Sequence, residues 1–391
     1  MHHPAAIRRS TLLLLSLALT PAAARAQFDL QDAHTTASLR GIHAVSPAVA
    51  WASGTEGTIL RTTDGGHLWQ TCTTPSPAAE HLDFRGIQAF DENTAIVMSS
   101  GKGDLSRLYK TTDACHTWRL LFTNPDKEGF WDALRFAPAP SRGGAVIGDP
   151  VDGRFAIFLS DAEGDAWYRW GRKGLGWNGT PCGERDAKSS KGESLFAASN
   201  QALIFEGASK FLFVSGGAHG SRLRTSDYTA SDYGFPCKTS FDSQSLPMGG
   251  SESSGAFAVA IGDREEGAVF SKMVIVGGDY KLANQSSHSC LYATPRSGVL
   301  PFESTFVVAP AQTPPHGYRS SVAYDPATKT WITTGPNGTD ISREDGRNWT
   351  PLRPGPHDPP DADKNWNALS LPFVVGPHGR IGKLRPDALK P

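Results

Sequence analysis

The sequence predicts an all-β fold, a seven-bladed β-propeller of four-stranded antiparallel blades. Three observations predict it. A turn-like motif ending in tryptophan recurs as RTTDGGHLW (61–69), KTTDACHTW (110–118), LSDAEGDAW (159–167) and ISREDGRNW (341–349). A pair of β-rich runs around a glycine-containing turn recurs seven times. Glycine (41) and proline (28) in 391 residues exceed the roughly 12% of an average chain, while 39% hydrophobic content suffices for a packed core. Short strands at an even period, punctuated by glycine, read as blades that cannot bury their faces alone and so stack in a ring.

From the N-terminus, residues 1–26 have the layout of a secretory signal peptide. Arg8 and Arg9 precede the apolar run 11–19, and Ala24-Arg25-Ala26 is an A-x-A cleavage site. The run is too short to span a bilayer, and no later stretch is long and apolar enough. Residue 27 is Gln, not Cys, which argues against a lipoprotein. The expected product is an exported chain of residues 27–391, periplasmic or extracellular and without membrane insertion. Cleavage removes three arginines and no acid, taking the formal charge from −1 to about −4. So balanced a charge excludes a global footprint for nucleic acid.

FDLQDAHTTA (28–37) precedes the first repeat, and the chain ends just after the third strand of the seventh. Residues near 28–37 are therefore expected to supply the outer strand of the last blade, removing an open edge. The paired runs begin at VAWASGTEGTILRT (49–62) and end at LPFVVGPHGRIGKL (371–384). Each follows an expected inner strand: 39–45, 84–90, 131–137, SLFAAS (194–199), 255–261, YRSSVAY (318–324) and 366–371. Residues 176–193 and 351–363 read as long loops.

The tryptophan motif is a turn. A carboxylate at its third position accepts backbone N–H bonds, glycine permits positive φ, and tryptophan buries an apolar face. The first copy has Asp64, Gly66 and Trp69. The second has Asp113 and Trp118 with Cys115 at the glycine position. The third has Gly164 and Trp167 with Ala162 in place of the acid. The fourth has Gly346 and Trp349 with Glu344. TSDYTASDY (225–233) reads as a decayed fifth. These residues resemble the Asp-box, or BNR repeat. The chain resembles the BNR/Asp-box propeller superfamily and is most similar, within it, to the photosystem II stability/assembly factor-like single propellers. That resemblance implies an exported propeller of assembly or scaffold type. The same repeat occurs in sialidases, xyloglucanases and sortilin-type receptors, so it does not fix a function. Xyloglucan-active relatives carry two propellers and this chain has room for one. The Arg-Ile-Pro-type motif of sialidases is absent.

Five cysteines leave at least one thiol unpaired. Cys182 with Cys237 is the preferred disulfide, Cys72 with Cys115 the second choice, and a fully reduced set stays open. There is no C-x-x-C, H-E-x-x-H, Walker A or G-x-S-x-G, so no metal and no cofactor is expected.

Aligned inner strands place Arg40, Arg85 and Arg319 at equivalent or nearly equivalent positions, at one level of a funnel. Such a cluster can bind a carboxylate or phosphate, unless each arginine pairs with a rim acid such as Asp132 or Asp149. The same face is expected to carry Asp149, Arg154, His219, Asp279, Tyr280, Lys281, His378 and Arg380. Asp149 and Asp279 suit either glycosidase acid–base work, with Tyr280 as a sialidase-like nucleophile, or the capping of tight turns. Trp131 and Trp366, with Phe84 and Tyr318, begin inner strands near the mouth and serve there as stacking platforms or as core. Two functions follow. One is a non-enzymatic propeller that binds a protein partner or an anionic or glycan ligand at the channel mouth. The alternative is a sialidase-like glycoside hydrolase using the arginines for a substrate carboxylate.

Overall fold

The computed structural model describes residues 27–139, 141–170, 174–175, 181–182, 187–207, 210–226, 241–266, 268, 270–296 and 306–390. The sheets form seven antiparallel blades in chain order, a seven-bladed β-propeller. Blade one runs outward through Leu39–Ala44, Ala50–Gly54, Ile59–Thr62 and Gln70–Thr71. The other inner strands are Phe84–Ala89, Trp131–Phe136, Leu203–Glu206, Ser254–Ile261, Ser321–Asp325 and Ala368–Ser370. Apolar residues of adjoining blades interlock between the sheets, and Trp51, Trp131, Trp331 and Trp366 are fully buried there. Among the described residues no helix is long and apolar enough to cross a membrane.

The ring closes as the sequence predicts. Phe28–Gln31 pairs antiparallel with Ile381–Leu384, from Phe28↔Leu384 to Gln31↔Ile381, as the outer strand of blade seven. Phe28 packs on Trp366 with ring centroids 5.6 Å apart. Gln31 then reaches into blade one, where its Oε1 accepts from Trp69 Nε1 at 2.9 Å and its Nε2 donates to the Gly65 carbonyl.

The recurring turns join third to outer strands, and the first two share one geometry. In the first, Thr62 Oγ1 accepts from Gly66 N at 2.9 Å and Asp64 Oδ1 from Leu68 N at 3.0 Å. Thr111 and Asp113 repeat both bonds. In the third turn the acid has moved one residue: Asp161, before Ala162, accepts from Asp165 N. In the fourth, Ser342 Oγ accepts from Gly346 N, and Trp349 Nε1 donates to the Gly346 carbonyl. Gly66 needs its identity twice over. Its φ is +85°, and a Cβ would lie 2.1 Å from Gln31 Oε1. Cys115 occupies the matching place at φ 65° and is held by a disulfide to Cys72, with Cα atoms 5.4 Å apart. The bond ties the end of blade one to the turn of blade two. It is the second-choice pairing; Cys237 and the side chain of Cys182 lie outside the described residues, as does the decayed fifth turn beyond Ser226. Cys290 is a free, buried thiol.

The inner strand of blade four departs from expectation. It is Leu203–Glu206, not 194–199. Glu193–Ser194 instead pairs with Gly216–Gly217 to extend blade five to six strands. The chain then crosses the channel. Asn200 Oδ1 accepts from Leu134 N at 2.7 Å and its Nδ2 donates to the Ile87 carbonyl. Gln201 Nε2 donates to the Leu369 carbonyl at 2.8 Å, while its Oε1 accepts from Ser321 Oγ and Val322 N. Ser199 Oγ donates to the Ser320 carbonyl at 2.6 Å. An innermost strand presents unpaired backbone groups to the channel, and burying them without partners is costly. The polar run Ser199-Asn200-Gln201 supplies partners to blades two, three, six and seven at once, and so plugs the channel.

Candidate binding site at the channel mouth

The mouth is the end at which the inner strands begin. Four of them carry a β-bulge near that end, between Leu39 and Gly41, Phe84 and Gly86, Trp131 and Ala133, and Ala256 and Ala258. The extra residues are Arg40, Arg85, Asp132 and Phe257. In blades six and seven, Ser320 N and Asn367 N bond to the Thr334 and Val375 carbonyls beside the pairs Ser321↔Thr334 and Ala368↔Val375. Ser320 and Asn367 are therefore the equivalents of Arg40.

That register separates the three arginines. Arg319 stands one position earlier, where the other blades carry Leu39, Phe84, Trp131 and Trp366, all buried. Arg319 is 0% exposed and bound on every side. Its Nε donates to Asp340 Oδ2 at 3.0 Å, its Nη2 pairs with the same oxygen, and its Nη1 donates to the Tyr318 carbonyl and Asn337. His316 Nδ1 lies 2.6 Å from the other Asp340 oxygen. Arg319 is thus part of the packing under the rim.

Arg40 and Arg85 do meet at the mouth, around Asp83. Arg85 Nε donates to Asp83 Oδ2 at 2.7 Å, and its Nη1 to the Ala197 carbonyl of the plug at 3.2 Å. Arg40 Nε stands 3.9 Å from Asp83 Oδ1, beyond hydrogen-bond reach, and both atoms are buried without a partner. Burial, then the neighbouring Arg85, lowers the pKa of Arg40, with Asp83 and Tyr318 opposing. Beneath them Asp132 is buried. Desolvation, then Asp149, pushes its carboxyl well above the usual range, against the pull of Arg85.

Of the other sequence candidates, Asp149 Oδ1 accepts from Ser194 Oγ at 2.6 Å and Leu195 N at 2.9 Å, anchoring the start of the plug. Burial raises its pKa, more than those bonds lower it. Asp279 accepts from Ser251 Oγ, Ser253 Oγ and Lys281 N. Asp279 thus holds a local turn, whereas Asp149 makes a long-range tie from blade three to the segment that leads into the plug. Trp131 and Trp366 are core rather than platforms: Trp131 stacks on Phe122, and Trp366 lies under the Arg380 guanidinium. Phe84 and Tyr318 are buried too. Arg154 and His219 are exposed on their own hairpins. Tyr280, 47% exposed, joins a ledge in which Phe196 stacks on Phe257 at 3.9 Å and Phe257 meets Tyr318 at 4.8 Å. The ledge thus runs up to Arg40. Among the described residues no group of three His, Cys, Asp or Glu is placed to hold a metal.

Sequence reasoning missed Asp83, Phe257 and the plug. Asp83 was findable as the acid two residues from Arg85 in the chain, within reach of its guanidinium.

Known structures share this architecture. A structure titled "YCF48 bound to D1 peptide" superposes with a TM-score of 0.55 at 12% identity, over 92% of this chain and 96% of that one. YCF48 from Cyanidioschyzon merolae gives 0.58 at 15%, over 93% and 100%. The xyloglucanase from Xanthomonas campestris gives 0.55 at 14%, over 91% of this chain and 53% of the enzyme. At such identities the likeness is one of fold. No family model and no curated protein matches the chain.

Proposed function

We propose that this chain is an exported, non-enzymatic propeller that binds a protein partner at its channel mouth. It receives an acidic side chain or a terminal carboxylate on Arg40, beside the ledge whose accessible rings are Tyr280 and the half-buried Phe196. The observation that carries the reading is the imbalance at the mouth: two guanidiniums share one carboxylate, and Arg40 Nε is left without an acceptor. A guanidinium half withdrawn from water binds a carboxylate more strongly than an exposed one, and aromatics beside it add contact area at low entropic cost. The likeness to a propeller solved with a bound peptide supports a peptide as the ligand. With Asp149 tied to Ser194 and Leu195, and Asp279 holding its own turn, the glycosidase alternative has no observation in its favour. Export follows from residues 1–26, and N-terminal sequencing of the envelope form should begin at Gln27.

The test is affinity capture from envelope extract by the tagged protein and by folded Arg40→Ala. Loss of one defined partner with Arg40→Ala, and its tighter retention by Asp83→Asn, is the expected result. Equal capture by all three proteins would overturn the assignment.

A further inference from the structure

At the opposite end, under the plug, the channel widens into a cavity of about 630 Å³ lined by residues of all seven blades. The size suits a small organic molecule. Its wall is mainly apolar, with Phe136, Phe205, Val259 and Leu369 among its residues, and among the described residues no aspartate or glutamate lines it. Two arginines do. Arg135 projects from the inner strand of blade three, and Arg142 stands on the following hairpin. Among the described residues neither has a carboxylate or a hydrogen-bond partner, in contrast to Arg40, Arg85 and Arg319. Burial lowers the Arg135 pKa to about 10, which leaves it charged at neutral pH. His43 lies close by. Burial and Arg135 hold its pKa down at about 3, so it adds hydrogen-bonding capacity and no charge. Its Nε2 is 3.0 Å from Gln88 Nε2, and its Nδ1 is buried without a partner.

Arg135 is half-buried and Arg142 exposed, and a cation even partly withdrawn from water without a counter-ion costs stability. An apolar chamber that keeps one, and excludes acids from its wall, has the composition of a site for an anion with an apolar body. We propose that this chamber binds a small amphipathic carboxylate. Its head engages the Arg135 fork, Arg142 stands beside it, and its aliphatic or aryl body lies against Phe136, Phe205, Val259 and Leu369. Gln201 forms part of the floor, so a ligand admitted here stays apart from the mouth. The inference is independent of the protein-binding reading.

The test titrates the purified full chain with decanoate, 4-phenylbutyrate and the uncharged decanol by calorimetry. One charge-assisted hydrogen bond predicts at least about tenfold tighter binding of a carboxylate than of decanol. Arg135→Met should erase that preference while decanol binding persists, and Arg135→Lys should restore part of it. The thermal midpoint of unliganded Arg135→Met should equal or exceed that of the parent, because an unpaired, half-buried charge has been removed. A structural arginine would give a lower midpoint. No binding of either carboxylate, equal binding of carboxylate and decanol, a preference that survives Arg135→Met, or a lowered midpoint would each overturn the proposal.

Discussion

The two ends of the channel hold arginines in opposite states. At the mouth Arg40 and Arg85 gather around Asp83, and Arg85 also grips the plug. Under the plug Arg135 and Arg142 face a chamber that no acid among the described residues lines. Arg319 marks a third condition, fully buried and fully neutralised by Asp340. The residue type is constant, so the difference lies in position along the inner strand. One residue before the bulge a side chain enters the packing between blades, on the bulge it faces the mouth, and further along it lines the chamber. Charge compensation is matched to position: complete in the packing, partial at the mouth, absent in the chamber.

The most severe way to break this comparison is Asp340→Ala, which puts Arg319 in the uncompensated state of Arg135 without a chamber around it. Loss of one partner of a buried pair predicts a destabilisation of about 3–5 kcal/mol in chemical denaturation. Next in size is Cys72→Ser, which opens a crosslink spanning 43 residues. The expected loss is about 2–4 kcal/mol. It loosens the seam between blades one and two, so mouth binding below the lowered melting temperature should persist. Gly66→Ala adds a Cβ at positive φ against Gln31, with an expected cost of about 1–2 kcal/mol from the backbone alone. A thermal melt would register it.

The smallest effect sharpens the description of the mouth. The Asp132 carboxyl has its folded pKa raised above the ordinary 3.8. Between those two values the native state binds more protons than the unfolded one, so this group's contribution to stability falls as pH rises through that window. Asp132→Asn has no proton to lose. It should therefore match or exceed the parent at pH 7, with the difference shrinking towards pH 4. Paired melts across that range would show it, and a variant less stable at pH 7 would contradict the assignment.

The blades were legible because their determinants are local. Alternating apolar runs, glycine turns and buried tryptophans repeat within each unit, and Phe28–Gln31 could be assigned by counting strands. The site was less so. Arg319 aligns with Arg40 and Arg85 by eye, yet a bulge displaces the register by one residue, and no periodicity marks a bulge beforehand. SLFAAS has the composition of an inner strand, but its place is decided by Ser199, Asn200 and Gln201, whose partners lie in distant blades. Ala162 suggested a weakened third turn because the acid had moved to Asp161. The lack of acids around Arg135 belongs to the seven-strand assembly and to no single stretch of chain.

The pairing of Phe28–Gln31 with Ile381–Leu384 has a consequence in time. The first described strand is the last to find its neighbour, since that neighbour is the last described strand to be made. Until then the growing ring has two free ends, each an adhesive edge for another nascent chain. The final step joins segments far apart in sequence, and contacts of that kind form slowly. Completion of the circle therefore waits until Ile381–Leu384 has been made. A chain shortened at either terminus would forfeit the seam that holds the remaining six blades in a circle.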